Sequence, residues 1–264
     1  MANVVITGGT RGLGRALTKR FLEMGDKVAI CSRSQESIDQ TLEELDRYGS
    51  LIGKVCDIKD FENVREFAEW CSKEFNGQID YWINNAGIAN PTKAFLSDLP
   101  PEEVEEVIRT NLIGTILATK AALQVMEKQK SGHIFLMEGM GSNGRPTPRI
   151  LPYGASKAPF PQLLKTLLEE TKGSNIGIHT LSPGIVLTDL LLENTPNDAK
   201  RIFNILAEKP EIPAAFLVEK IRGINGTGKR IRYLSRWKIM KRFLMARRYR
   251  NRFFDDQGNL LVDL

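Results

Sequence analysis

Tyr153 and Lys157 stand four residues apart in the run Tyr153-Gly154-Ala155-Ser156-Lys157. On a helix that spacing puts both side chains on one face. A free tyrosine titrates near ~10, and an ammonium group beside it favours the phenolate. The pair has the makings of a general acid and its tuner, a phenol that gives a proton to an oxygen and takes it back in reverse. Taken alone, the same spacing also describes an ordinary helix face.

A second cluster could hold an anion. Gly8, Gly12 and Gly14 recur in Thr7-Gly8-Gly9-Thr10-Arg11-Gly12-Leu13-Gly14, between an apolar run and a helical pattern. Glycine permits a tight turn there and lets backbone N–H groups approach a pyrophosphate, while the helix N-terminus adds a favourable field. The next apolar run ends Cys31-Ser32-Arg33. An acidic residue at this place would bind a ribose 2′-hydroxyl in a dinucleotide fold, and none is present. Ser32 and Arg33, with Arg11 in the first turn, match a 2′-phosphate in geometry and charge instead. The expected cofactor is therefore NADPH/NADP+. Alternatively, Arg33 is a solvated charge. Two histidines and three scattered cysteines leave no metal site, and unpaired cysteines fit a reducing compartment.

The elements that must position these residues alternate. Val4–Thr7, Lys27–Cys31, Leu51–Val55, Ile79–Ile83, His133–Met137 and Ile176–Leu181 read as strands. Arg15–Met24, Glu36–Tyr48, Phe61–Phe75 and Leu112–Gln129 read as helices between them. Such a pattern implies a parallel sheet covered on both faces. The expected fold is α/β: a doubly wound, Rossmann-like parallel sheet of about seven strands. Length 264 and an apolar content of 42 % suit one domain. Beyond Leu187 we expect two short helices, Asp198–Glu208 and Ala214–Arg222, then a strand at Lys229–Leu234. The expected division is a catalytic domain over 1–234, with a lid at about 187–222, and a tail over 235–264.

In order, Thr7–Gly14, Asp57, Asn84-Asn85-Ala86-Gly87, Asn111, Tyr153-Gly154-Ala155-Ser156-Lys157 and Pro183-Gly184 resemble the pattern of the short-chain dehydrogenase/reductases. The resemblance covers roughly 2–188. It implies a cofactor site made by Gly8, Thr10, Arg11, Gly12, Leu13, Gly14, Ser32 and Arg33, with Asp57 at the adenine. It places Asn85, Ala86 and Gly87 beside the adenosine ribose, and Pro183, Gly184, Val186 and Thr188 toward the nicotinamide. It also gives Lys157 to the nicotinamide ribose and a bound water to Asn111. With the nicotinamide's positive charge added, the Tyr153 phenol is expected to fall toward working pH, to protonate a carbonyl oxygen as hydride arrives on carbon. A serine usually stands thirteen residues before the tyrosine, and here that residue is Met140. Ser142 is the nearest hydroxyl. Either the glycine-flanked loop brings Ser142 to the same place, or another donor polarises the carbonyl.

The run 133–142 resembles the corresponding loop of chlorophyll(ide) b reductases, and the likeness persists at 179–192, 201–206, 226–229 and 253–258. It implies a small-molecule carbonyl substrate, the C7 formyl group of chlorophyll b or chlorophyllide b. Two alternatives stay open: a reductase of another ketone or aldehyde, and a non-catalytic NADP-binding sensor or scaffold. Leu190, Leu191 and Leu192, with Ile150, Leu151, Pro152 and Phe95, either line a broad apolar pocket or belong to a core or interface. A homo-oligomer is expected from the family.

The tail has its own character. Residues 220–252 hold 13 Lys plus Arg and no Asp or Glu, so the rest of the chain carries −8 within a total of +5. Leu234, Trp237, Met240 and Leu244 form one helical stripe among these cations. Such a helix can lie on an anionic membrane, or pack on its own domain or a second subunit. No nucleic-acid signature accompanies it, so a nucleic-acid partner is not expected. No charged-then-apolar leader opens the chain. The expected place is cytoplasmic or stromal, with peripheral contact to a photosynthetic membrane.

Overall fold

Val4, Val5 and Ile6 are all fully buried in β1 (Asn3–Thr7) although their side chains alternate between faces. Both faces of the central strand must therefore be covered, as in a parallel sheet flanked by helices. The computed structural model describes residues 1–192 and 197–262, and only the backbone of Leu190, Asn197 and Asp198. The Glu193–Pro196 part of the expected lid, the Leu190 side chain and the last two residues of the tail lie outside this description.

The chain alternates β1, α1 (Gly12–Glu23), β2 (Lys27–Ser32), α2 (Gln35–Leu45), β3 (Leu51–Val55), α3 (Phe61–Glu74) and β4 (Tyr81–Asn84). It continues through α4 (Pro101–Ile108), a π-helical turn at Arg109–Gly114, α5 (Thr115–Gln129), β5 (Gly132–Met137), α6 (Leu151–Lys157), α7 (Phe160–Glu170) and β6 (Ile176–Ser182). Short elements follow: β7 (Ile185–Val186), α8 (Asp189–Leu192), α9 (Asn197–Leu206), β8 (Ala207–Glu208), α10 (Glu211–Arg222), β9 (Arg230–Arg232) and α11 (Arg236–Leu244). Seven strands make one sheet in the order β3-β2-β1-β4-β5-β6-β9, all neighbours parallel. The order reverses between β1 and β4, and in such sheets ligands bind at the carboxyl ends of the strands beside this switch point.

Helix α1 packs against α10 on one face, and α3 against α5 on the other. Phe21, Phe135 and Leu217 fill the first layer, and Phe67, Trp82 and Ile134 the second. Each such side chain contributes roughly 1.5–3 kcal/mol on burial. Caps fix where helices begin: the Asp60 carboxylate accepts from the Glu62 and Asn63 N–H groups, and the Ser34 hydroxyl from that of Ser37.

Several boundaries differ from expectation: α1 starts at Gly12 rather than Arg15, α2 ends at Leu45 rather than Tyr48, α10 starts at Glu211 rather than Ala214, and the last strand is Arg230–Arg232 rather than Lys229–Leu234. The fourth strand starts at Tyr81 because the Gln129 amide takes both backbone groups of Ile79, at 3.0 and 2.7 Å. Helix α5 begins at Thr115, after the π turn. Ala207 and Glu208 leave the helical path to pair with Ile185 and Val186.

The chain beyond β9 folds back on the segment that carries Asn204 and Glu208. Glu208 is buried and forms ion pairs with Arg242 and Arg252, and the Tyr233 hydroxyl donates to it at 3.0 Å. Asn204 accepts from the Phe253 and Phe254 N–H groups and donates to the Phe254 carbonyl. The stripe expected in the tail is split: Leu234 is buried, while Trp237, Met240 and Leu244 are exposed. Arg242 turns inward in their place, because the buried carboxylate requires a cation.

A histidine pair crosses the sheet between β5 and β6. Lys229 N–H donates to His179 Nδ1 at 3.3 Å, which leaves the proton on Nε2 to reach His133 Nδ1 at 3.0 Å. Desolvation pushes His179 down to about 3, with His133 and Lys229 adding repulsion. Desolvation also lowers His133, against the pull of Asp80. The unfolded chain protonates these rings near ~6.5, so it binds more protons than the folded chain below that pH. Their contribution to stability is full above that value and declines as pH falls toward 3. Thermal unfolding followed from pH 7.5 to 5 should show a falling midpoint, and His133→Gln should shrink that fall. An equal fall in the variant would rule out the pair as its source.

Candidate active site

The turn after β1 and the loop after β4 are zipped together. The Thr7 hydroxyl accepts from the backbone N–H of Asn85 and of Ala86, each at 3.1 Å. The Asn85 amide returns donors to the Thr7 and Gly8 carbonyls at 3.1 and 3.0 Å. Gly8 has φ +66, and a Cβ there would lie 2.9 Å from Ala86 Cα. A Cβ on Gly14 would overlap the Gly8 carbonyl. Only glycine permits this approach. No side chain caps α1 behind Arg11, and no acid stands in its first turn. Its N–H groups present a positive end to an anion. Thr10 and Leu13 belong to this turn; the Thr10 carbonyl accepts from Thr41 at 3.4 Å, and Leu13 packs into the layer beneath. A Cβ on Gly12 would lie 3.0 Å from the Thr188 methyl, so Thr188 reaches the same turn.

Ser32 and Arg33 leave the end of β2 beside this turn. Arg33 meets Glu106 at 3.3 Å, and Glu106 is shared with Lys59 at 2.8 Å. The Asp57 carboxylate accepts from the Lys59 N–H at 3.0 Å. Lys59 and Arg33 hold the Glu106 carboxyl below its ordinary range. Glu106 is a residue that sequence reasoning missed, since nothing in α4 announces that it faces the end of β2. More than half of the Arg33 side chain is exposed, and an exposed ion pair of this kind holds weakly. Arg33 can therefore exchange a carboxylate for a phosphate.

The joint between the two halves of the site is Asn111, fully buried in the π turn. Its Oδ1 accepts from the Ile88 N–H at 2.8 Å, and its Nδ2 donates to the Ile88 carbonyl at 2.8 Å and to the Ser156 hydroxyl at 3.0 Å. A Cβ on Gly87 would press to 3.1 Å of Oδ1. Asn111 thus ties the loop after β4 to α6.

Helix α6 presents Tyr153 and Lys157. The Lys157 ammonium is buried, donates to the Met137 carbonyl at 3.1 Å and sits 4.6 Å over the Phe160 ring. Desolvation pushes it down to about 8. Desolvation also pushes the Tyr153 phenol up to about 12, the reverse of the fall that its neighbour alone implies. Loss of water is the cause of this shift, and the ammonium is engaged by the Met137 carbonyl. Burial thus favours the protonated phenol.

The loop after β5 lies directly on this helix. A Cβ on Gly139 would collide with the Tyr153 hydroxyl, and one on Gly141 with the Gly154 backbone. Ser142 is buried; its Oγ accepts from the Gly139 N–H at 3.1 Å, while its own N–H donates to the Gly139 carbonyl at 3.2 Å. That leaves the hydroxyl proton of Ser142 available, in a turn that touches the phenol. Met140 is exposed and offers no donor. The loop ends at Arg149, whose φ of +67 is unusual for a residue with a side chain. Its guanidinium stacks 5.3 Å over the exposed Phe95 ring. No sequence signal marked this pair.

Pro183 is buried after β6. Gly184, at φ +83, backs onto Leu234, and Val186 pairs with Glu208, so both carry structural contacts. Leu191 and Leu192 pack against the buried group that includes Phe203 and Phe254, so they are at least partly core. Phe95 and Leu151 remain exposed. No metal-binding cluster and no helix long and apolar enough to cross a membrane occur among the described residues.

Residues 2–199 match the family model for short chain dehydrogenase. The probable chlorophyll(ide) b reductase NYC1 of Arabidopsis thaliana is 40% identical over 98% of this chain and 56% of its own length. The chlorophyll(ide) b reductase NOL of the same plant is 41% identical over 86% of this chain and 67% of its own. The chain thus spans a little over half of the first relative. Among solved structures, a short-chain type dehydrogenase/reductase from Mycobacterium marinum superposes with a TM-score of 0.78 at 25% identity, covering 87% of this chain and 92% of that one. An actinorhodin polyketide ketoreductase crystallised with NADPH gives 0.75 at 23%, over 88% and 97%.

Gly139→Ala should displace the Tyr153 hydroxyl with little change in thermal midpoint. A misplacement of ~1 Å can cost about a hundredfold in turnover. Activity in the variant within twofold of wild type would show that the loop does not set the phenol's position.

Proposed function

The chain belongs to the short-chain dehydrogenase family, and from that membership we propose that it is an NADPH-dependent carbonyl reductase acting on the C7 formyl group of chlorophyll b or chlorophyllide b. The observation that carries the substrate is the likeness to NYC1 over nearly all of this chain, beyond the 2–199 that define the family. The geometry of Tyr153, Lys157 and the loop at Gly139 supports the reaction class. The product is the 7-hydroxymethyl pigment.

NADPH fits the residues present. The uncapped start of α1, the glycine contacts at Gly8 and Gly14 and the cations Arg11 and Arg33 suit its phosphates. Asp57, Asn85, Ala86 and Gly87 would hold the adenosine end. Pro183, Gly184, Val186, Thr188 and Lys157 would hold the nicotinamide end. When bound, the cofactor supplies a hydride to the carbonyl carbon. Tyr153 gives its proton to the carbonyl oxygen, and the Lys157 ammonium stabilises the phenolate left behind. Ser142 donates its free hydroxyl proton to the same oxygen. Asn111 holds α6 in place through Ser156 and anchors the water by which the proton is replaced. In the same reading the protein works as a homo-oligomer on the cytoplasmic or stromal side of a photosynthetic membrane, which it touches through its tail.

Incubation with chlorophyllide b and NADPH should yield the 7-hydroxymethyl product, identified by absorption and chromatography, with slower reaction from NADH. No product despite tight NADPH binding would overturn the pigment assignment. Arg33→Ala should raise the KM for NADPH on the order of tenfold, the worth of a charged hydrogen bond, and leave that for NADH unchanged. The pH profile follows from Lys157, which carries its charge below about 8. Reduction should hold steady at lower pH and decline as pH rises through that value. A rate that climbs above pH 8 would contradict the role given to the ammonium.

A further inference from the structure

Helix α11 shows two unlike faces. Inward, Arg242 binds Glu208 and the carbonyls of Ile205 and Leu206, and Ile239 packs beside Tyr233 and Leu234. Lys238 covers the Tyr233 ring at 3.3 Å. Outward stand Trp237 at 76% exposure, Met240 at 45%, Phe243 at 48% and Leu244 at 80%. Isolated exposed apolar residues are ordinary, but four on one helix of nine residues form a patch. Its rim is entirely cationic: Arg236, Lys241, Arg247 and Arg248 are exposed. None of these four forms an ion pair among the described residues, and no acid occurs anywhere in 220–252.

We propose that the outer face of α11 docks on an anionic lipid bilayer, with Trp237, Met240, Phe243 and Leu244 entering the interface and the four cations meeting headgroups. The occupant follows from charge and shape. A basic helix with one aromatic and aliphatic face lies flat in a membrane surface, and each cation near an anionic surface adds to the attraction. A second copy of the chain would set the same cations against one another. The inward face makes the docking consequential. Arg242 joins the helix to Glu208, which pairs with Val186 two residues before Thr188 at the glycine turn. The membrane would therefore hold the lid side of the site toward lipid. This inference deepens the proposed membrane contact and rests on it for purpose, but its test needs no pigment.

The full chain is mixed with vesicles of neutral phosphatidylcholine, and with vesicles that also contain an anionic lipid, and then sedimented. Tryptophan emission is read in parallel, the Trp237 part taken as the difference from Trp237→Ala, since Trp70 and Trp82 also emit. The proposal predicts binding to the anionic vesicles only, a blue shift of the emission, and release by high salt. The double variant Trp237→Ala with Leu244→Ala should bind at least about tenfold more weakly, with unchanged NADPH affinity and thermal midpoint because both side chains face outward. Undiminished binding by this variant would mean surface electrostatics without insertion and would overturn the proposal. So would the absence of vesicle binding, or self-association of the chain abolished by the same two substitutions. Vesicle binding without pigment reduction would leave the docking intact and remove only the substrate.

Discussion

The site depends on one buried amide. Asn111 satisfies both backbone groups of Ile88 and reaches Ser156, so that the loop after β4 and helix α6 share a single fastener. On its other side the same loop is zipped to the glycine turn by Asn85 and Thr7. An unsatisfied buried polar group costs about 1–3 kcal/mol, and both amide side chains in this series of contacts have their donors satisfied within it. The loop therefore has one arrangement, and it sets the glycine turn and the phenol relative to each other. The π turn that carries Asn111 is a departure from regular helix of the kind often met at functional sites.

Close backbone approach is the second constraint. Gly8 against Ala86, Gly139 against Tyr153 and Gly141 against Gly154 leave no room for a Cβ. The sequence announced the first of these, because glycines spaced between a strand and a helix have a known use. It was silent about the other two, since nothing in Met137-Glu138-Gly139-Met140-Gly141-Ser142 says which distant helix will lie on the loop. The question left open about Ser142 is narrowed in the same way. Its oxygen is engaged by the Gly139 N–H and its proton is not, which is what a donor to a carbonyl requires.

Most strands were legible because both-sided burial writes itself as continuous apolar runs. Ile79 was not, since a side chain from α5 captured its backbone. The tail shows the limit of reading periodicity alone. A hydrophobic stripe predicts which face packs, but Glu208 lies buried beneath α11 and draws Arg242 inward, so three of the four stripe residues face out. The phenol shows the same limit in electrostatics. Spacing identifies the ammonium beside Tyr153, whereas the upward shift comes from burial, which spacing does not report. Glu106 beside Arg33 is likewise a tertiary fact.

The account turns on Tyr153 as the proton donor. The direct measurement compares wild type with Tyr153→Phe, following NADPH binding by titration and product formation in a single turnover with chlorophyllide b. The account predicts retained cofactor binding and a loss of at least about a hundredfold in product formation, the range of general acid catalysis. Product formation by the variant at the wild-type rate would contradict it.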